Sequence, residues 1–148
     1  MSVRDQTADQ LVLRPATELS ALLTRGELSP VALTKAFIAR AKRYAHLNAY
    51  ITLDEEGALR QAQVAEDEIK RGAIRGPLHG LPMAVKDQFD AKGLRTTAGS
   101  VIVDYIASQD ATVVARLREA GAVILGKLNL SEFALGGNVT HPHGIPHN

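Results

Sequence analysis

The sequence predicts an α/β fold with a mixed sheet, and two observations carry this prediction. Apolar residues recur at helical spacing through much of residues 1–75, which we interpret as a helical lead-in. From Gly76 onward the character changes, and AVILG at residues 122–126 is a continuous apolar run, typical of a strand covered on both faces. Because this run directly follows a helical pattern and a glycine, residues 76–148 are expected to start a parallel or mixed sheet with helices packed on it.

Two helices are expected before residue 48. The first spans Thr17 to Arg25 and is closed by Gly26. The second begins at Ser29 and Pro30, because the serine hydroxyl can cap a helix and proline suits the first helical position. Its apolar residues recur at steps of four, four and three, which places them on one face: Leu33, Phe37, Ala41 and Tyr44.

A strand and a third helix follow. Residues 48–53 (NAYITL) have strand character because they contain aromatic and β-branched residues. The helix after this strand ends at Gly72. Its apolar face is mostly alanine, which suits close packing against a sheet or another helix: Ala58, Ala62, Ala65 and Ile69.

The second half begins with a strand in LPMAVK, residues 81–86. Pro82 lies near the start of this strand, where the absence of a backbone N–H group is tolerated. Asp110 is expected to cap a helix that Gly121 closes. The apolar face of this helix consists of Val113, Val114, Leu117 and Ala120. The stretch TTAGS at 96–100 and the last residues of the chain are predicted as loops.

Composition narrows the function classes. Lys and Arg (17) nearly balance Asp and Glu (16), and the few aromatic residues are scattered, so neither a nucleic-acid surface nor attraction to an anionic membrane is expected. The absence of cysteine excludes disulfides and thiolate chemistry. No apolar run approaches the roughly 20 residues that span a bilayer. We therefore expect a soluble, cytoplasmic protein.

Lys86 is the first candidate for chemistry. A lysine at the end of a buried strand loses hydration, which disfavours its charged form and can make it a general base. The alternative is that Lys86 pairs with a carboxylate or reaches the surface. Lys127 also follows an apolar run, and the local sequence alone does not separate the two lysines.

The other candidates have simpler interpretations. Ser100 lies in no nucleophile-elbow motif, so its hydroxyl is expected to stabilise a turn. His79 is interpreted as a turn residue. The glycines form neither a dinucleotide fingerprint nor a phosphate loop, so no cofactor is expected. A solvated loop is favoured over a metal site for the three histidines near the end of the chain, which are His141, His143 and His147.

Three segments taken together resemble the front section of the amidase signature family: GPLHGLPMAVKD, GLRTTAGS and DATVVARLREAGAVILGKLNLSEFA. Their order and spacing match across residues 76 to about 148. The resemblance implies a serine hydrolase with a Ser–cis-Ser–Lys triad on an α/β/α fold with a mixed sheet. It assigns the catalytic base to Lys86 and a structural position to Lys127. It also implies that Leu135 and Gly136, within the ALGG stretch, bind substrate.

The GGSSGGS-like stretch that carries the family's bridging serine is absent from these residues. Residues 1–148 are therefore expected to be the N-terminal part of one amidase domain, with no complete second domain and no activity alone. The expected partner is a small-molecule amide, with no direct nucleic-acid contact and no membrane, and the full-length form could be a homodimer. Two alternatives stay open: a non-catalytic remnant or interaction module, and a glutamyl-tRNA amidotransferase A-type subunit.

Overall fold

The computed structural model describes residues 8–135 and 140–147. Five α-helices lie in these residues: α1 (Ala8–Leu11), α2 (Ala16–Thr24), α3 (Pro30–Arg43), α4 (Glu55–Lys70) and α5 (Thr112–Glu119). The strands are β1 (Tyr50–Leu53), β2 (Pro82–Lys86), β3 (Arg95–Thr96), β4 (Tyr105–Ile106) and β5 (Val123–Leu128). Short 3-10 turns span Ala45–Leu47 and Glu132–Ala134. Among the described residues, no helix has the length and apolar character that crossing a bilayer requires.

The main sheet has the order β1-β5-β2, and the predicted α/β class with a mixed sheet is confirmed. β5 pairs with β2 in parallel and with β1 antiparallel. β3 and β4 form a separate two-stranded antiparallel ribbon. The loop predicted at residues 96–100 begins one residue later in the structure, because Thr96 pairs with Tyr105 and belongs to β3.

Two layers of side chains pack on opposite faces of the sheet. On one face, Val123 and Leu125 contact α3 and α4 through Ile38, Ala58 and Ala62. On the other face, Ile124 and Val85 pack in a second cluster with Val114 of α5, together with Ala91 and Leu94. The alanine face of α4 therefore packs as the sequence predicted, and β5 is covered on both sides.

Most helix boundaries agree with those that the sequence predicts. The Ser29 hydroxyl accepts a hydrogen bond from the Ala32 amide at 3.1 Å and also donates to Glu66, so the predicted cap is confirmed. The predicted cap at Asp110 is wrong, because α5 starts at Thr112 and Ala111 holds the cap position. The Asp110 carboxylate instead accepts from the Lys92 amide at 2.6 Å.

The predicted apolar face of α5 is also partly wrong. Val114 is fully buried, whereas 45% of Val113 is exposed. Adjacent positions on a helix point about 100° apart, so both cannot face the sheet.

A bulge in β5 decides which way Lys127 points. Between two paired positions, β2 advances from Met83 to Val85 while β5 advances from Ile124 to Lys127, so β5 carries one extra residue. Strict alternation from Leu125 would turn Lys127 toward α3 and α4. The extra residue turns it to the opposite face, where it contacts Asp87.

Gly126 makes this bulge sterically feasible. Its φ is +152°, a value that other residues rarely adopt. A Cβ atom at this position would lie 2.1 Å from the Thr52 carbonyl oxygen on β1. Only glycine therefore allows β1 to pair with β5 at the point where the latter bulges.

We expect Gly126→Ala to lower the free energy of unfolding by about 2–4 kcal/mol, because the methyl group must displace the β1 backbone. Urea unfolding followed by circular dichroism measures this loss. The matched control is Gly26→Ala, where φ is +70° and nothing lies within 4 Å of the added Cβ. Equal losses in the two variants would mean that the contact with β1 is unimportant.

Candidate functional site

Lys86 is the last residue of β2, and its side chain is exposed. By strand alternation it lies on the same face as Ala84, opposite Val85 and Asp87. Within the part of the chain that the structure describes, the expectation that Lys86 is dehydrated at the end of a buried strand is therefore wrong. β2 is an outer strand of the described sheet, so its last residue has a neighbouring strand on one side only.

Lys127 is the lysine that the fold buries completely. Its Nζ lies 2.9 Å from Asp87 Oδ1, and it donates to Thr96 Oγ1 at 3.0 Å and to the Arg95 carbonyl at 3.2 Å. Two of these contacts are hydrogen bonds, and the third is an ion pair with a carboxylate oxygen that accepts no hydrogen bond from the described residues. An ammonium held in this way has no free electron pair to accept a proton, which favours a structural role.

Asp87 is the other half of this buried pair, and none of its surface is exposed. Its Oδ2 accepts hydrogen bonds from the Thr97 amide at 2.9 Å and from the Thr97 hydroxyl at 2.5 Å. Its own amide donates to the Leu128 carbonyl at 3.0 Å. The residue next to Lys86 is thus tied both to β5 and to the segment that follows β3.

The segment Thr97–Ser100 forms a tight turn beside this pair. Ala98 adopts φ +52°, and the Thr97 hydroxyl accepts from the Gly99 amide at 3.1 Å. The Ser100 hydroxyl accepts from the Ile102 amide at 3.2 Å, which confirms the predicted turn-stabilising role. It also donates to Glu132 at 2.6 Å, so the turn is joined to the segment after β5.

The segment after β5 carries Leu135, which the resemblance implies to bind substrate. Phe133 and Ala134 adopt φ values of +52° and +60°, and the Phe133 amide donates to the Ala98 carbonyl at 2.8 Å. Leu135 is 67% exposed, so within these residues it faces solvent rather than a closed pocket. Gly136 lies outside the described residues.

The Glu132 carboxylate connects this segment to two other parts of the chain. It accepts from the hydroxyl of Ser100 and, at 2.7 Å, from the hydroxyl of Thr140. These two hydrogen bonds lower the pKa of Glu132, because they favour its charged form.

Lys86 and Leu135 are both connected to the carboxyl edge of the parallel β2–β5 pair. Lys86 ends β2, and Leu135 follows the end of β5 by seven residues. In open α/β sheets ligands bind at this edge.

Three residues near this edge were not singled out from the sequence: Asp87, Thr97 and Glu132. The sequence offered one signal, which is that Asp87 directly follows an apolar strand. Local spacing could not reveal its buried partner, Lys127.

His79 is buried, which the interpretation as a turn residue did not foresee. Its Nδ1 accepts from the Arg75 amide at 3.1 Å, and its Nε2 lies 3.0 Å from Glu68. Burial lowers the pKa of His79, while the nearby Glu68 carboxylate acts in the opposite direction. His79 packs directly against Gly121, at the end of α5.

The histidines near the end of the chain make separate contacts. His143 Nε2 lies 3.0 Å from the Ser100 carbonyl, and the His147 amide donates to the Leu47 carbonyl at 2.8 Å. Within residues 8–135 and 140–147, no group of three potential ligands is placed to hold a metal ion.

Comparisons with known proteins agree on one family. The family model described as Amidase matches residues 32–148. The chain is 43% identical over 128 residues to the mitochondrial A subunit of glutamyl-tRNA(Gln) amidotransferase from Rattus norvegicus. It is 49% identical over 130 residues to the A subunit of glutamyl-tRNA(Gln) amidotransferase from Thioalkalivibrio sulfidiphilus. Both alignments cover 86% of this chain, but only 24% and 27% of these two relatives.

Solved structures show the same relationship at the level of the fold. Native peptide amidase from Stenotrophomonas maltophilia superimposes with a TM-score of 0.77 and 40% identity, over 82% of this chain and 26% of that enzyme. A second structure, described as an amidase, gives a TM-score of 0.80 and 41% identity, over 90% and 31% of the two chains. The predicted amidase-signature fold is confirmed, and the chain spans about a quarter of its curated relatives.

We expect Lys127→Met to destabilise the chain by about 3–5 kcal/mol, because it leaves the Asp87 carboxylate buried without a countercharge. Thermal and urea unfolding measure the loss. Adding Asp87→Asn should recover part of it, since an amide oxygen can still accept from the Thr97 amide. Lys35→Met on the exposed side of α3 is the control, with a change within about 0.5 kcal/mol. A double variant as unstable as the single one would contradict this account.

We expect stability to fall as the pH decreases below about 6.5, the ordinary pKa of histidine. The folded state holds His79 at a lowered pKa, so the unfolded chain binds the extra proton first and the free energy of unfolding drops. The slope reaches at most about 1.4 kcal/mol per pH unit for one proton.

The test compares urea unfolding of the parent and His79→Asn between pH 7 and pH 5. The asparagine oxygen can accept from the Arg75 amide but takes up no proton, so the slope should flatten. The neighbouring Glu68 also has a lowered pKa, and it titrates below this window. An unchanged slope would show that His79 is not the titrating group.

Proposed function

This chain belongs to the Amidase family, and from that membership we propose that it supplies the base and part of the substrate pocket of an amide hydrolase. Residues 1–148 form the N-terminal part of one catalytic domain, with residues 1–75 as the lead-in and residues 76–148 as the start of its sheet. The proposal is supported by two relatives that align with this chain over only 24% and 27% of their own length.

Lys86 is the proposed general base. The lysine accepts the proton that a bridging serine relays from the nucleophilic serine. That nucleophile attacks an amide carbonyl, ammonia or an amine leaves, and water then releases the acid. The single observation that carries this assignment is the contrast between two lysines: Lys127 is fully buried in an ion pair, while Lys86 projects free of that pair.

The exposure of Lys86 requires a further element in this proposal. Only a neutral lysine can act as a base, and removal of water favours the neutral form. We propose that residues outside this chain cover the end of β2 and remove water from Lys86. The same residues would supply the two serines and close the acyl pocket beside Leu135 and Gly136.

A second candidate is supported by the curated relatives. Two of them, at 43% and 49% identity, are glutamyl-tRNA(Gln) amidotransferase A subunits. The same triad would then release ammonia from glutamine for transfer to a charged tRNA, and partner subunits would be required. For the full-length form we also propose a homodimer in the cytoplasm.

We expect Lys86→Ala to reduce ammonia release by the complete gene product at least 100-fold, because proton transfer by a positioned side chain contributes about 10²–10⁴-fold. Ammonia is measured with simple carboxamides and with L-glutamine, which separates the two candidates. Lys35→Ala is the control and should keep the parental rate. Residues 1–148 alone should release none.

Three outcomes decide between the hypotheses. Turnover of a simple carboxamide alone supports the amidase, and turnover of glutamine together with partner subunits supports the amidotransferase. A complete gene product that is folded but inactive on both supports the non-catalytic alternative. Full activity in Lys86→Ala would remove Lys86 from the mechanism.

A further inference from the structure

Asp87 stands at the meeting point of two segments that carry the proposed site. It directly follows Lys86 in the chain, and its carboxylate bonds both the amide and the hydroxyl of Thr97. From Thr97 the contacts continue through Ala98 to Phe133, whose amide donates to the Ala98 carbonyl at 2.8 Å. Phe133 is two residues before Leu135 in the chain.

Asp87 is connected to the proposed site by two routes. The first runs through the backbone to Lys86, the preceding residue. Asp87 and Lys86 point to opposite faces of the sheet, so the carboxylate is directed away from the proposed base. However, a buried side chain with partners at 2.5–2.9 Å leaves little freedom to its own backbone. The position and direction of the Lys86 Cα–Cβ bond are therefore fixed by contacts on the other side of the sheet.

The second route acts on the segment that bears Leu135. Thr97 holds the turn in which Ser100 contacts Glu132, and Glu132 begins the segment that leads to Leu135. Ala98, Phe133 and Ala134 all adopt positive φ values, a costly conformation for residues other than glycine. Strained turns of this kind persist only where surrounding contacts hold them, and Asp87 supplies the buried anchor.

We propose that Asp87, held by Lys127 and Thr97, is a positioning residue that sets both the proposed base Lys86 and the substrate segment ending at Leu135. The inference rests on the proposed function of Lys86. It adds that one buried carboxylate couples proton transfer to substrate binding. A loss at Asp87 or at the Thr97 hydroxyl must therefore affect kcat and KM together, whereas a loss further along the second route affects KM alone.

The test uses the complete gene product and whichever amide it hydrolyses, a simple carboxamide or L-glutamine. Thr97→Val removes the hydroxyl that bonds Asp87 and keeps the shape of the side chain. We expect kcat to fall about 10- to 100-fold, the scale of a misplaced catalytic group, together with a several-fold rise in KM. Thr97→Ser keeps the hydroxyl and is the matched control, with kcat within about twofold of the parent.

A second variant tests the two routes separately. Ser100→Ala removes the hydrogen bond to Glu132 but leaves the contact of Asp87 with Thr97. KM should rise several-fold while kcat stays within about twofold of the parent. If Thr97→Val yields no folded protein, this variant still decides, since an unchanged KM would remove the proposed link between the turn and the substrate segment.

The dependence on Lys86 is tested by combining Thr97→Val with Lys86→Ala. If Asp87 acts through Lys86, Thr97→Val should change the residual kcat of Lys86→Ala less than twofold, because the group that it positions is gone. An undiminished effect in this background would overturn the proposal, as would equal kcat values in Thr97→Val and Thr97→Ser. Full turnover in Lys86→Ala alone would instead contradict the proposed function, so the two failures are distinguishable.

Discussion

The architecture depends on one buried ion pair between Asp87 and Lys127. Burying two charges costs several kcal/mol for each ion, and the cost is offset only when every remaining donor and acceptor is also satisfied. Here the ammonium reaches Thr96 and the Arg95 carbonyl, and the carboxylate reaches Thr97 twice. The pair therefore favours the observed arrangement of β2, β5 and the residues after β3, because both charges have a partner in it.

This arrangement explains why two similar lysines have opposite surroundings. Lys86 and Lys127 each end or nearly end a strand of the parallel pair. The bulge at Gly126 turns Lys127 into the layer beneath the sheet, and the regular alternation of β2 leaves Lys86 outside it. A single extra residue in one strand thus separates a buried, ion-paired lysine from an exposed one.

Helices α2 to α5 and strands β1, β2 and β5 could be predicted from sequence because their signals are local. The Ser29 cap, the alanine face of α4 and the apolar run of β5 each occupy a few consecutive residues. The burial of Lys127 and the position of Thr97 could not be predicted in this way. The burial of Lys127 depends on partners 31 and 40 positions away and on a bulge. The position of Thr97 depends on Asp87, ten residues earlier. Neither leaves a periodic pattern in the sequence. The resemblance to the family distinguished Lys86 from Lys127 where spacing did not.

The sheet order β1-β5-β2 leaves an open edge on each outer strand within the described residues. Backbone amides and carbonyls along such an edge are a template for any strand of matching length, including a strand of another copy of the same chain. The short length of β1 and the proline that opens β2 limit this template. These edges are therefore the places where a second copy of the chain would add a strand.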